Sequence, residues 1–125
     1  MRAEITKTFR FEAAHRLPNH RGKCSQPHGH GYRVDVALYG EVRPADGTSE
    51  EGMVMDFADV SAAWKVLEPR LDHRDLNEAL AGDVDVTTAE CIAHWLFGRF
   101  TEMLGDEVTS VTVWETETCR ATVRR

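Results

Sequence analysis

The 125-residue chain has only three cysteines, Cys24, Cys91 and Cys119. So sparse and odd a set does not build a disulfide framework, so the thiols read as reduced and the protein as cytoplasmic. No apolar run approaches the roughly 20 residues needed to cross a bilayer. The opening Met1-Arg2-Ala3-Glu4 leads into a strand-like pattern rather than a signal peptide. Positive charge is in deficit: 15 Lys and Arg against 21 Asp and Glu give a net charge of -6. That disfavours nucleic-acid and anionic-membrane surfaces, which need clustered positive charge. Internal repeats and low-complexity segments are also lacking. What remains, 42% hydrophobic and 29% charged residues, fits one folded domain spanning 1–125, long enough to bury a core without staples.

Alternation marks the strands. Ile5, Phe9, Phe11, Ala13 and His15 share one parity, and Thr6, Thr8, Arg10 and Glu12 the other. After a polar loop from Pro18 to Pro27, Tyr32, Val34, Val36 and Leu38 share a parity within a strand running from about His28 to Val42. Arg43 to Gly52 reads as a hairpin loop. Val60, Ala63, Trp64, Leu67 and Leu71 follow helical spacing, with Pro69 predicting a break or a tightened last turn. A second helix begins at Thr87-Thr88-Ala89-Glu90, where Thr87 and Glu90 have capping-box spacing, and stops at Gly105. Two closing strands carry Val111, Val113 and Glu115 on one face, then Cys119, Ala121 and Val123. The order β-β-α-α-β-β predicts an α+β domain, a four-stranded antiparallel sheet with two helices on one face. Its open edges make pairing between subunits a way to hide them.

The chemistry concentrates in Cys24-Ser25-Gln26-Pro27-His28-Gly29-His30. On a strand His28 and His30 point to one side, the side of the apolar residues. His15 continues the apolar face of the first strand. Three converging imidazoles fit a metal with an open fourth position, since burying them unpaired would cost several kcal/mol; a hydrogen-bonded histidine cluster is the alternative. Cys24 has three readings: a fourth ligand that closes the site, a free thiol acting as acid or base, or an incidental loop residue. Asp72 and His73 can form a carboxylate-oriented imidazole at a turn, or simply a charged helix terminus. Glu115, on a core-facing parity, would be satisfied by a ligand offering two donors; otherwise it twists out to solvent. Cys91 lies at the edge of the helical stripe, where packing is expected.

These residues match a family. Phe11-Glu12-Ala13-Ala14-His15, the Cys24 to His30 stretch, Val54-Met55-Asp56-Phe57, Leu71-Asp72-His73-Arg74-Asp75-Leu76-Asn77, Thr87-Thr88-Ala89-Glu90 and Glu115-Thr116 occur in order. Over nearly the whole chain they resemble the 6-pyruvoyl- and 6-carboxy-tetrahydropterin synthase family, and the three-residue gap from Cys24 to His28 looks like the carboxy branch. The resemblance implies the tunnelling fold, in which subunits join sheet edges into a barrel, commonly a homohexamer of two stacked trimers with sites at subunit interfaces. It implies Zn2+ on His15, His28 and His30, proton transfer by Cys24 with His73 and Asp72, and a pterin ring held by Glu115 with Thr87 and Thr88. The implied reaction converts 7,8-dihydroneopterin triphosphate to 6-carboxy-5,6,7,8-tetrahydropterin, feeding 7-deazaguanine or queuosine-type synthesis. The pyruvoyl-forming reaction and a non-catalytic pterin-binding module with structural zinc are the alternatives.

Overall fold

The computed structural model describes residues 1–125. Two 14-residue strands, β1 (Arg2–His15) and β2 (His28–Glu41), pair antiparallel over their full lengths. A loop then leads to α1 (Phe57–Leu67), and a 3-10 turn over Glu68–Arg70 carries the break that Pro69 predicts. The loop from Arg43 to Gly52 folds back on itself: Arg43 N–H donates to Met53 O at 3.0 Å, and Gly52 N–H to Arg43 O at 2.9 Å. It closes a turn before α1 rather than joining two sheet strands. A two-residue β3 (Arg74–Asp75) and a one-turn α2 (Leu76–Ala79) precede α3 (Ala89–Leu104). The chain closes with β4 (Val108–Trp114) and β5 (Arg120–Arg124).

The sheet has five strands in the order β3-β1-β2-β4-β5, not the expected four. The extra strand is β3, parallel to β1 through Ala13 and Ala14. Two residues are too few to show alternation, which is why the pattern does not announce it. The second correction concerns the α3 start. Thr88, not Thr87, is the cap, its Oγ1 accepting from Cys91 N–H at 3.2 Å. Thr87 turns inward instead and is 1% exposed. Cys91, expected to pack, is exposed on α3.

The helices cover one face of the sheet. Phe9, Phe11 and Ala13 of β1, Tyr32, Val34, Val36 and Leu38 of β2, and Val108, Val111 and Val113 of β4 meet Val60, Trp64 and Leu67 of α1 and Ile92, Leu96 and Phe100 of α3. Phe9 stacks on Trp64 at 4.9 Å and Phe11 on Tyr32 at 4.7 Å. Such pairs add about 0.5–1.5 kcal/mol beyond their buried area. The opposite face is polar. There Trp114 lies between the Arg33 and Arg120 guanidinium groups, at 4.1 and 4.7 Å, and donates to Asp35 at 2.9 Å.

Candidate active site

The β1–β2 register builds the site. Phe9 faces Val34, Phe11 faces Tyr32, Ala13 faces His30 and His15 faces His28. The apolar face of the hairpin therefore ends in imidazoles. The three rings stand edge-on to one another, with centroids 4.6, 5.1 and 4.9 Å apart. One ligand nitrogen from each lies within 4.8 Å of the other two.

Two backbone carbonyls fix how the rings face. His15 Nδ1–H donates to Thr87 O at 2.8 Å, and His28 Nδ1–H donates to Gln26 O at 2.8 Å. Each bond commits the Nδ1 proton and leaves Nε2 a bare lone pair, the form a metal ligand needs. His15 Nε2 and His30 Nε2 are buried without any hydrogen-bond partner. A purely hydrogen-bonded cluster would leave these two nitrogens unpaired, whereas a metal would satisfy both. Cys24 stands outside the cluster, half-buried and free. It sits in a 3-10 turn, Lys23–Ser25, whose Cys24 carbonyl accepts from Leu17 N–H at 2.8 Å.

The other site candidates lie around this centre. Glu115, just past β4, brings Oε1 to 3.5 Å from His30 Nε2, near enough for attraction though not aligned as a hydrogen bond. It borders a hollow of about 500 Å³ shared with Cys119, Arg120 and the first turn of α3 at Ala89 and Glu90. Thr88 immediately precedes that turn. Asp72 and His73 do pair: His73 Nδ1–H donates to Asp72 Oδ2 at 3.0 Å. Asp72 Oδ1 accepts from Glu12 N–H at 2.9 Å and His73 N–H donates to Glu12 O at 2.6 Å. This staple holds His73 at φ 59, a left-handed conformation that costs a non-glycine residue roughly 1–2 kcal/mol. No hydrogen bond or ion pair joins His73 to Cys24 or to the imidazoles. His73 does border a hollow of about 550 Å³ that it shares with His30, lined also by Glu12, Ala14, Gly29, Gly31 and Arg74.

Comparison with known proteins identifies the family. A family model described as 6-pyruvoyl tetrahydropterin synthase matches residues 4–125. The chain belongs to the 6-pyruvoyl tetrahydropterin synthase family. A relative from Synechocystis sp. named 6-carboxy-5,6,7,8-tetrahydropterin synthase is 42% identical over 118 residues, covering 94% of this chain and 89% of the relative. The human 6-pyruvoyl tetrahydrobiopterin synthase is 32% identical, covering 92% and 86%. The solved 6-pyruvoyl tetrahydropterin synthase of Caenorhabditis elegans superposes with a TM-score of 0.88 at 27% identity, covering 100% of this chain and 96% of that one.

Within this family member, sequence patterns missed the two carbonyls that set the tautomers, because backbone acceptors leave no trace in residue type. They also missed Tyr32, whose ring lies 5.4 Å from His30 and 6.0 Å from His15. Its hydroxyl is buried without a partner, and burial, reinforced by Glu115, pushes the phenol well above its ordinary range.

Burial also holds the His15 and His30 imidazoles below the ordinary 6.5, against the opposing pull of the Thr87 bond on His15 and the Glu115 charge near His30. The unfolded chain then binds those protons first, so stability is lost as pH falls below about 6.5. Asp72, held below its ordinary 3.8 chiefly by Glu12 N–H and then by His73, adds a second loss at lower pH, of the same sign. The urea midpoint of metal-free protein is therefore expected to drop between about pH 7.5 and 5.5, and His30→Gln to flatten that slope. A midpoint independent of pH in this window would contradict the buried neutral imidazoles.

Proposed function

We propose that this family member is a zinc-dependent lyase that converts 7,8-dihydroneopterin triphosphate, with uptake of one water, to 6-carboxy-5,6,7,8-tetrahydropterin, acetaldehyde and triphosphate. The observation that carries the reading is the trio of imidazoles with two orphaned Nε2 atoms and a thiol left free outside it. Three nitrogen ligands and an open position mark catalytic rather than structural zinc. A zinc ion on His15, His28 and His30 would supply Lewis acidity toward the substrate's side-chain oxygens, making neighbouring C–H bonds more acidic.

The chain's own groups do the rest. Cys24, at the mouth of β2, takes or returns a proton on one face of the substrate. The His73–Asp72 pair serves the other, Asp72 fixing Nδ1–H so that Nε2 exchanges the proton. Glu115 accepts two hydrogen bonds from the amino-amide edge of the ring, and the Thr87–Thr88 segment at the α3 start lies beside it. Arg16, His20, Arg21 and Lys23, exposed in the loop before Cys24, face the triphosphate. The ring gains two hydrogens as the retained side-chain carbon becomes a carboxylate, so the redox change is internal to the substrate.

One subunit does not join His73 to Cys24, and both sheet edges are open. β1 lacks a strand partner on its outer side from Arg2 to Phe11, and β5 ends the other side. Head-to-tail pairing of these edges would close a ring and carry His73 toward a neighbouring site, as in a homohexamer of two trimers. The 42% identity to a named 6-carboxy enzyme and the short Cys24–His28 gap support the carboxy reaction over the pyruvoyl one. We place the activity in 7-deazaguanine or queuosine-type synthesis. Incubation with 7,8-dihydroneopterin triphosphate and mass analysis tests it. Acetaldehyde equimolar with a 6-carboxy product is expected, and a 6-pyruvoyl product without acetaldehyde would overturn the reading.

A further inference from the structure

His15 is the deepest of the three imidazoles, 2% exposed, and it is the last residue of β1. His15 pairs with His28 in the last rung of the β1–β2 ladder, and no strand pairs with Arg16, the residue that follows it. The aim comes from the Thr87 carbonyl, which belongs to the segment before α3 and lies 72 residues away in sequence. A carbonyl in a loop orients a ring only if the loop is itself held.

Asn77 of α2 holds both. Its Oδ1 accepts from Arg16 N–H at 2.9 Å and its Nδ2–H donates to Arg16 O at 2.9 Å. The carboxamide thus acts as a substitute ladder partner for the residue that follows His15. The Thr87 hydroxyl lies 3.3 Å from Asn77 Oδ1, 3.4 Å from Arg16 O and 3.3 Å from His15 Nδ1. One side chain therefore ties the strand end that carries the ligand to the carbonyl that sets its tautomer. α2 is seated for this by Leu76, fully buried, and by Asp75, whose Oδ1 caps it by accepting from Asn77 N–H at 3.0 Å.

We propose that Asn77 is a positioning residue for His15, acting with the Thr87 hydroxyl to set the metal affinity of the three-imidazole centre. The proposal rests on the reading that these imidazoles hold a divalent metal. The residue type follows from the geometry. Aspartate has no N–H for Arg16 O, and leucine has the volume without either function. An outer partner of a ligating histidine typically contributes 10–100-fold in metal affinity.

The test is titration of purified, metal-free protein with Co2+, read by its visible absorption and by competition with a chelator. Asn77→Leu is expected to weaken Co2+ binding by about 10–100-fold and to alter the ligand-field bands, because His15 no longer presents Nε2 at a fixed angle. Thr87→Val is expected to weaken binding in the same direction, and Thr87→Ser, which keeps the hydroxyl, to bind like the parent. Thermal unfolding of the metal-free proteins is measured alongside. A lowered midpoint with unchanged Co2+ affinity in the folded protein would mean that Asn77 only supports the fold, and would overturn the proposal. Should Asn77→Leu not fold, the Thr87→Val and Thr87→Ser pair decides: equal affinities overturn it. Failure of the parent protein itself to bind Co2+ would overturn the metal reading and this proposal with it, a result distinct from unchanged affinity in the variants.

Discussion

Cys24→Ala is expected to retain full metal content and the parent unfolding midpoint while kcat falls by about 10²–10⁴, the usual contribution of a positioned acid or base. The fold side of this expectation comes from the turn. Cys24 contributes its backbone carbonyl to Leu17, and its side chain is half-buried in a three-residue 3-10 element that holds no buried residue. Removing one sulfur there opens no core cavity. The metal side comes from the cluster, which is complete with three imidazoles and excludes the thiol. Steady-state kinetics with metal analysis on the same sample checks both. Loss of metal together with unfolding would instead make Cys24 a fourth ligand and the centre a structural one.

His28→Ala should act in the opposite way. It removes one of three ligands, so metal affinity should fall by more than the about 10–100-fold that a lost outer partner costs, and turnover should vanish with it. The metal-free fold should persist. His28 is only half-buried at the first position of β2, and its Nδ1–H bond goes to Gln26 two residues away, so no distant element depends on it. Metal titration followed by equilibrium unfolding separates the two effects. Unchanged metal uptake in this variant would show that the imidazoles do not form the centre.

The convergence of the three imidazoles was legible in the sequence because strand periodicity is a physical rule that carries side chains to a face. Once Phe9, Phe11 and Ala13 are read as inward, His15 follows, and Tyr32 and Val34 bring His30 and His28 with them. Helix α3 was legible from its capping residues and its stop at Gly105, with its start displaced by one residue. Thr87 and Thr88 are chemically identical, and only the tertiary contact to His15 decides which one turns inward. β3 was not legible, because its two residues owe their strand geometry to the staple between Glu12 and Asp72–His73 rather than to any propensity of their own. The link from Asn77 through Thr87 to His15 was hidden similarly. Asn77 lies inside the Leu71–Asn77 motif, yet its partners are backbone atoms of Arg16, to which residue identity gives no clue.

In the proposed enzyme three imidazoles hold the metal while the thiol stays free. X-ray absorption at the metal edge of the zinc-loaded protein measures this directly. The expected spectrum has nitrogen or oxygen neighbours at about 2.0–2.1 Å and no sulfur. A sulfur neighbour at about 2.3 Å, absent in Cys24→Ala, would contradict it.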